Sequence, residues 1–239
     1  MARRGFWVRT AAGVVNTTLT VFSRHTWRGT EHIPDTGGAI LAANHISHAD
    51  TLVVAQFVYN NGRVPRFLTK ASVMNSPVVG YALRSAHQIP VERGTRDAVR
   101  ALDAAVEAVR DGHIVVVYPE GTTTKDPEHW PMRARTGIAR LAVATDAPVI
   151  PVAQWGAHRL YDPITHRVRP RPRTPVTVVA GPPMDLSAWR GMAHPGRSDL
   201  GALSDAVMLR IRDLLADIRG ETPPEELYDW PPKRQNPSS

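Results

Sequence analysis

Short apolar runs alternating with stretches of helical periodicity restrict this chain more than any other feature. GGAILAA (37–43), HIVVVYPEG (113–121), APVIPVAQWG (147–156) and PVTVVAG (175–181) are apolar segments of strand length, and PRFLTK and HQIPVERG are shorter extended pieces. Between them lie four stretches that read as helices. Residues 48–62 end in Asn-Gly, 75–86 place Ser76 before Pro77, 97–111 carry Leu102, Val106 and Val109 on one face before Gly112, and 135–146 follow. Leu200, Leu203, Val207, Ile211, Leu214, Leu215 and Ile218 fall at helical spacing and predict a final helix. Strands that are apolar without interruption belong to sheets covered on both faces. The expectation is an α/β fold with a mixed, largely parallel sheet covered by helices, preceded by an N-terminal amphipathic helical segment.

The chain has 239 residues, 42% of them hydrophobic, which suits a single core, and it shows no internal repeat. We divide it into an N-terminal membrane-interface segment (1–29), a main domain (30–220) and a loosely attached, proline-rich polar tail (221–239). Cysteine is absent, so disulfides, thiolate metal sites and a cysteine nucleophile are excluded. The net charge of +7 favours a polyanionic partner, and its distribution narrows the choice. Arg3, Arg4, Arg9, Arg24 and Arg28 occur in the first thirty residues without a single Asp or Glu among residues 1–30. The uncharged stretch 10–23 is shorter than the about 20 apolar residues of a membrane span, and Asn16 and four threonines interrupt it. Arg3-Arg4-Gly5-Phe6-Trp7 resembles a twin-arginine export signal, but no small-residue cleavage site follows. Phe6, Trp7, Val14, Val15, Leu19 and Phe22 instead fit a helix lying at an anionic membrane surface, or an ordinary helix packed on the core.

Three polar clusters sit where apolar runs stop, which is where open α/β sheets collect ligands. The first is NHISHAD, 44–50. Within one helix, residues five apart point about 140° away from each other, so His45 and Asp50 meet only if a turn through Ile46 and Ser47 separates them, with the helix starting near His48. Asp50 would then fix the His45 tautomer and leave the second ring nitrogen as a base toward an alcohol. The same letters also fit a helix capping box, Ser47-x-x-Asp50, or a metal shell of His45, His48 and Asp50. The second cluster is IPVERGTR, where Arg93 and Arg96 flank Gly94 as a candidate phosphate clamp. The third is YPEGTTT, where Glu120, Gly121 and Thr122 offer a carboxylate, a pliable backbone and a hydroxyl to a substrate, or form a plain polar turn.

N-H-x-x-x-x-D, an arginine after IPVE, then P-E-G-T and then VIPVA, in this order, resemble the four sequence blocks of the glycerolipid acyltransferases, most of all the 1-acylglycerol-3-phosphate O-acyltransferases. The resemblance covers roughly 30–220. It implies transfer of a fatty acyl group from acyl-CoA or acyl carrier protein, as co-substrate, to a hydroxyl of 1-acylglycerol 3-phosphate or a related lysolipid in phospholipid biosynthesis. It further implies a peripheral enzyme at the cytoplasmic face of a membrane, with no metal and no cofactor. His45 becomes the general base and Asp50 its orienting partner. Arg93 would hold the acceptor phosphate, with Glu120, Gly121 and Thr122 completing the acceptor site; Arg96 and Lys70 join on charge and position. Two departures stand out: Thr123 where the family carries an arginine after P-E-G-T, and Pro90 where it carries a phenylalanine before the second arginine block.

Two other classes compete. One is an esterase or metal-dependent hydrolase built on His45, His48 and Asp50, although Ser47 lacks a glycine-flanked nucleophile elbow. The other is a basic nucleic-acid or membrane-binding module, but no nucleic-acid recognition motif accompanies the charge, and we expect no nucleic-acid partner. The arginine run RVRPRPR, 167–173, would meet coenzyme phosphates or anionic lipid, or simply face solvent.

Overall fold

The apolar runs become the strands of one seven-stranded sheet in the computed structural model, which describes residues 6–77, 79–91, 95–169, 171–192 and 194–230. For residues 6–9, 11, 12, 79, 82 and 95–98 only the backbone enters the account. The chain runs α1 (Phe6–Phe22), β1 (Ser23–Arg28), β2 (Ala39–Ala43), α2 (Asp50–Asn60), β3 (Pro65–Lys70), α3 (Ala71–Met74), α4 (Val79–Ser85), β4 (Ile89–Val91), α5 (Thr95–Arg110) and β5 (Ile114–Val117). It continues with α6 (Gly137–Val143), β6 (Val149–Trp155), β7 (Thr174–Ala180), α7 (Ser187–Arg190) and α8 (Arg197–Arg219).

Strand order is β1-β7-β6-β2-β5-β3-β4, and every pairing is parallel except β6 with β7. The mixed, largely parallel α/β sheet expected from the sequence is therefore present. Leu41 and Ala43 of β2 join a core with Val53, Val54 and Phe57 of α2 and Leu19 of α1. Ile40 and Ala42 face the other way, into a core made with α5, α6 and α8. Helices on both faces explain why the central strands carry no polar side: all five residues of β2 are buried.

The structure departs from the sequence reading in four places. Residues 23–28, assigned to the interface segment, form the edge strand β1, in which Ser23, His25 and Trp27 turn inward and the arginines turn outward. The Ser23 hydroxyl donates to Leu19 O at 2.5 Å and closes the end of α1. The helix expected near His48 begins at Asp50, because the turn occupies residues 46–49. The stretch 75–86 yields a helix only from Val79, preceded by the single-turn α3. Finally, the tail is held as far as residue 230. Leu227 is buried in the α8 core, Arg133 N donates to Tyr228 O at 2.9 Å, and Arg133 pairs with Asp229 at 2.7 Å.

The buried Leu227 gives that attachment a measurable consequence. Leu227→Ala should lower unfolding free energy by about 2–3 kcal/mol in a denaturant titration, as core leucine truncations do. A loosely attached tail would leave the transition midpoint unchanged.

Candidate active site

Strands β2 and β5 are parallel neighbours, so the residues that follow them, 44–50 and 118–124, emerge side by side at one edge of the sheet. Asn44 prolongs β2 by side-chain bonds: its Oδ1 accepts from Gln154 N at 2.8 Å and its Nδ2 donates to Gln154 O at 3.0 Å. His45 then leaves the strand. The turn at 46–49 carries the chain back so that Asp50, the first residue of α2, faces it: Asp50 Oδ2 lies 3.1 Å from His45 Nδ1. The same oxygen accepts from Ile46 N at 2.6 Å and Ser47 N at 2.8 Å.

The dyad contact is present, and only half of the capping box: Asp50 accepts from Ser47 N, but α2 is capped at Ala49 and the Ser47 hydroxyl does not bond to Asp50 N. Asp50 is fully buried, while the His45 side chain keeps 11% of its surface exposed. With Nδ1–H donated to Asp50, the lone pair sits on Nε2, the tautomer this network requires. Tyr118, which the sequence reading passed over as part of an apolar run, stacks on the imidazole at 4.2 Å and 20°. Its hydroxyl titrates far above the usual tyrosine range because it is buried, so the ring remains a neutral platform.

The hydroxyl that a serine hydrolase would need is already committed. Ser47 is fully buried, donates its hydroxyl to Tyr161 O at 2.7 Å and accepts from Ala49 N, which leaves no nucleophile. His48 stands edge-on to His45 at 5.9 Å, and burial lowers its pKa. Among the described residues no group of three His, Cys, Asp or Glu side chains is placed to hold a metal ion.

Glu120 requires a correction. Expected as a substrate ligand, it is 3% exposed and turned inward: Oε1 accepts from His45 N at 3.0 Å and Oε2 from Met132 N at 3.1 Å. It braces the His45 loop against the loop that follows β5. Burial pushes its carboxyl up to about 8, against the pull of the two amides. Thr124, the last residue of the YPEGTTT cluster, adds a second tie through its N–H to His45 O at 2.6 Å.

Gly121 holds φ +72, its N–H bonds to Tyr118 O, and a Cβ there would come 3.3 Å from Arg135 Nε, so the glycine makes room for that guanidinium. Thr122 follows it, half-buried. Arg93 lies outside the described residues, and Arg96 is described only as a backbone position in α5. Lys70 ends β3 in register with Val91, exposed, at the sheet edge where His45 emerges.

The raised Glu120 carboxyl makes stability depend on pH in a defined direction. A carboxyl whose folded pKa exceeds its unfolded value stabilises fully below about 4.5, and that stabilisation is lost as pH rises toward about 8, at about 1.4 kcal/mol per unit between the two values. Glu120→Gln should be less stable at pH 5, because its amide turns a donor toward one of the two N–H groups. The gap from the native protein should narrow steadily up to pH 8 in thermal melts. A constant gap would place the Glu120 pKa near that of a free glutamate.

The comparisons with known proteins fall on this same ground. A family model described as Acyltransferase matches residues 24–155. A 1-acyl-sn-glycerol-3-phosphate acyltransferase of Limnanthes douglasii is 29% identical over 164 residues, covering 68% of this chain and 55% of its own, so the chain spans little more than half of that relative. One of Bacillus subtilis is 22% identical over 188 residues, covering 77% and 84%. The crystal structure of the 1-acyl-sn-glycerophosphate acyltransferase PlsC from Thermotoga maritima shares the fold, with TM-score 0.68 and 24% identity over 91% of this chain and 81% of that one. The family match spans more than half of the residues and contains both the His45 turn and the Glu120 loop, so the chain belongs to the acyltransferase family.

Proposed function

We propose that this enzyme acylates a free hydroxyl of 1-acylglycerol 3-phosphate, or of a closely related lysolipid, using an acyl thioester as donor. The observation that carries the reading is the 3.1 Å contact between His45 Nδ1 and Asp50, which dedicates Nε2 to proton transfer. In that role Nε2 removes the proton of the acceptor alcohol as its oxygen attacks the thioester carbonyl. The tetrahedral adduct collapses with loss of the thiolate, and the imidazolium returns the proton to sulfur. No covalent enzyme intermediate is needed, in keeping with a chain that has no cysteine and whose Ser47 hydroxyl is occupied.

Arg93 holds the acceptor phosphate in this reading. Arg135, whose guanidinium lies over Gly121, supplies positive charge beside the loop in which Thr123 replaces the family's arginine. The relatives named for 1-acyl-sn-glycerol-3-phosphate support a phosphorylated acceptor.

We further propose that the enzyme works at a membrane surface on its α1 side, facing the cytoplasm. Helix α1 packs against α2 and α4 through Val15, Leu19 and Phe22, while Val14 and Val21, seven residues apart on the opposite face, are 63% and 58% exposed. Leu52, Val73 and Tyr81 on α2, α3 and α4 add exposed apolar surface. No helix among the described residues is long and apolar enough to cross a membrane.

His45→Ala should abolish acyl transfer, with a loss on the order of 10²-fold or more and a melting temperature close to native. Asp50→Asn should lower both kcat and melting temperature, because one carboxylate orients the base and closes the turn. Native turnover by purified His45→Ala would end the mechanism, and release of free fatty acid with no acylated lysolipid would favour the hydrolase reading. Arg93→Ala and Arg135→Ala should each raise KM for lysophosphatidate by about 10- to 100-fold, the equivalent of 1.5–3 kcal/mol, and leave KM for a monoacylglycerol nearly unchanged. Equal effects on both acceptors would remove these arginines from phosphate binding. Val14→Asp/Val21→Asp should reduce sedimentation with anionic vesicles while retaining turnover on detergent-dispersed substrate. Deletion of residues 1–24 is a poorer test, because it cuts into β1.

A further inference from the structure

A cavity of about 500 Å³ that is not lined by His45 lies at the crossover from β6 to β7. Its walls include Arg159, Arg169, Arg171 and Arg173, with His129 and His158. Arg169 is neutralised by Asp162 at 2.5 Å, while Arg159, Arg171 and Arg173 have no carboxylate partner among the described residues. The crossover is stiff. Tyr161 bridges Val168, Arg169 N donates to Leu160 O, and the Thr174 hydroxyl donates to Arg171 O at 2.9 Å. Pro172 fixes its own backbone, and Arg173 sits at φ +60, a conformation that side chains other than glycine seldom adopt.

The other wall is aromatic. The His129 and His158 rings lie 5.3 Å apart, and His158 is 4.5 Å from Trp155. Burial lowers the pKa of both histidines, that of His158 to about 4, so at neutral pH they offer neutral faces rather than charge. The crossover that carries these arginines also touches the His45 turn. Ser47 donates to Tyr161 O at 2.7 Å, and the His48 ring lies 6.2 Å from both Tyr161 and His166 of the same crossover.

We infer that this cleft binds the phosphoadenosine end of coenzyme A, with Arg171 and Arg173 on the phosphates and the imidazole faces against the purine. The inference rests on the acyl-transfer reading and deepens it by selecting the donor. A concave site of this volume suits a small polyanion, whereas an acidic carrier protein or a bilayer needs an open convex or flat surface. A thioester arm running from the cleft past Tyr161 would present its carbonyl to His45 along the edge where both loops emerge.

The test is calorimetric titration of the full-length protein with free coenzyme A and with dephospho-coenzyme A, alongside steady-state kinetics. The native protein should bind coenzyme A with an affinity that falls as salt rises, and bind the dephospho form more weakly. Arg171→Gln/Arg173→Gln, both at exposed positions, should bind coenzyme A at least tenfold more weakly and raise the acyl-CoA KM by a similar factor, with acceptor KM unchanged. Should the double variant fail to fold, Arg159→Gln replaces it with the same expectation. Unaltered coenzyme A affinity in a folded variant overturns the inference, as does no binding by the native protein. Loss of anionic-vesicle sedimentation, or of transfer from acyl carrier protein, with coenzyme A titration intact also overturns it, in favour of a lipid headgroup or a carrier protein. Because the titration needs no turnover, the two readings fail separately. Coenzyme A bound at the cleft without acyl transfer from any thioester would sink the functional reading alone, and transfer persisting with cleft-independent coenzyme A binding would sink this one alone.

Discussion

The site is organised by a single buried carboxylate at the point where β2 gives way to α2. Asp50 Oδ2 receives His45 Nδ1 and the amides of Ile46 and Ser47, and each of these would otherwise be an unsatisfied donor away from water. Those contacts hold the turn closed, and the closed turn aims the imidazole. The position also lies in the first turn of a helix, where a negative group meets the unpaired amides and the positive end of the dipole. Geometry and electrostatics therefore reinforce each other at this residue, and the His45–Asp50 arrangement is inseparable from the local fold.

A second buried carboxyl, Glu120, performs the corresponding task between strands. Its two oxygens hold His45 N and Met132 N, so the loop after β5 carries the His45 turn on one side and the 124–132 segment on the other. That segment is anchored in turn by Arg219, whose guanidinium lies 3.9 Å over Trp130 and 4.6 Å over Trp155. The His45 imidazole is thus tied through hydrogen bonds and ring contacts to α8 and to β6. This arrangement explains why its side chain can be held in one orientation with only 11% of its surface exposed.

Much of this was legible in the letters, for identifiable reasons. Parallel strands buried on both faces must be apolar throughout, so β2, β5 and β6 declare themselves. Helix geometry made the His45–Asp50 encounter conditional on a turn, since residues five apart cannot meet within one helix, but it left the capping box and the metal shell open. What escaped did so because its cause lies elsewhere in the fold. Edge strand β1 meets the sheet with only half its residues and carries arginines on the other half, so its apolar signal is weak. Four-residue helices such as α3 and α7 are too short to show a period. Glu120 looked like a ligand because spacing reports where a loop leaves the sheet and not which way its side chain turns. Leu227, a lone apolar residue in a proline-rich tail, gives no sign that α8 has a place for it.

The reversal of direction between β6 and β7 explains why so many different features share one edge. With β7 antiparallel to β6, the start of β7 lies beside the end of β6, and β1, parallel to β7, starts there as well. The C-terminal end of α1, the arginine-bearing crossover and the loops after β2 and β5 are therefore brought together by topology, without any added domain. An all-parallel sheet would send β7 and β1 the other way and leave α1 and the crossover at the far edge from His45. The end of α1, the crossover arginines and the His45 turn therefore lie along one edge of the sheet.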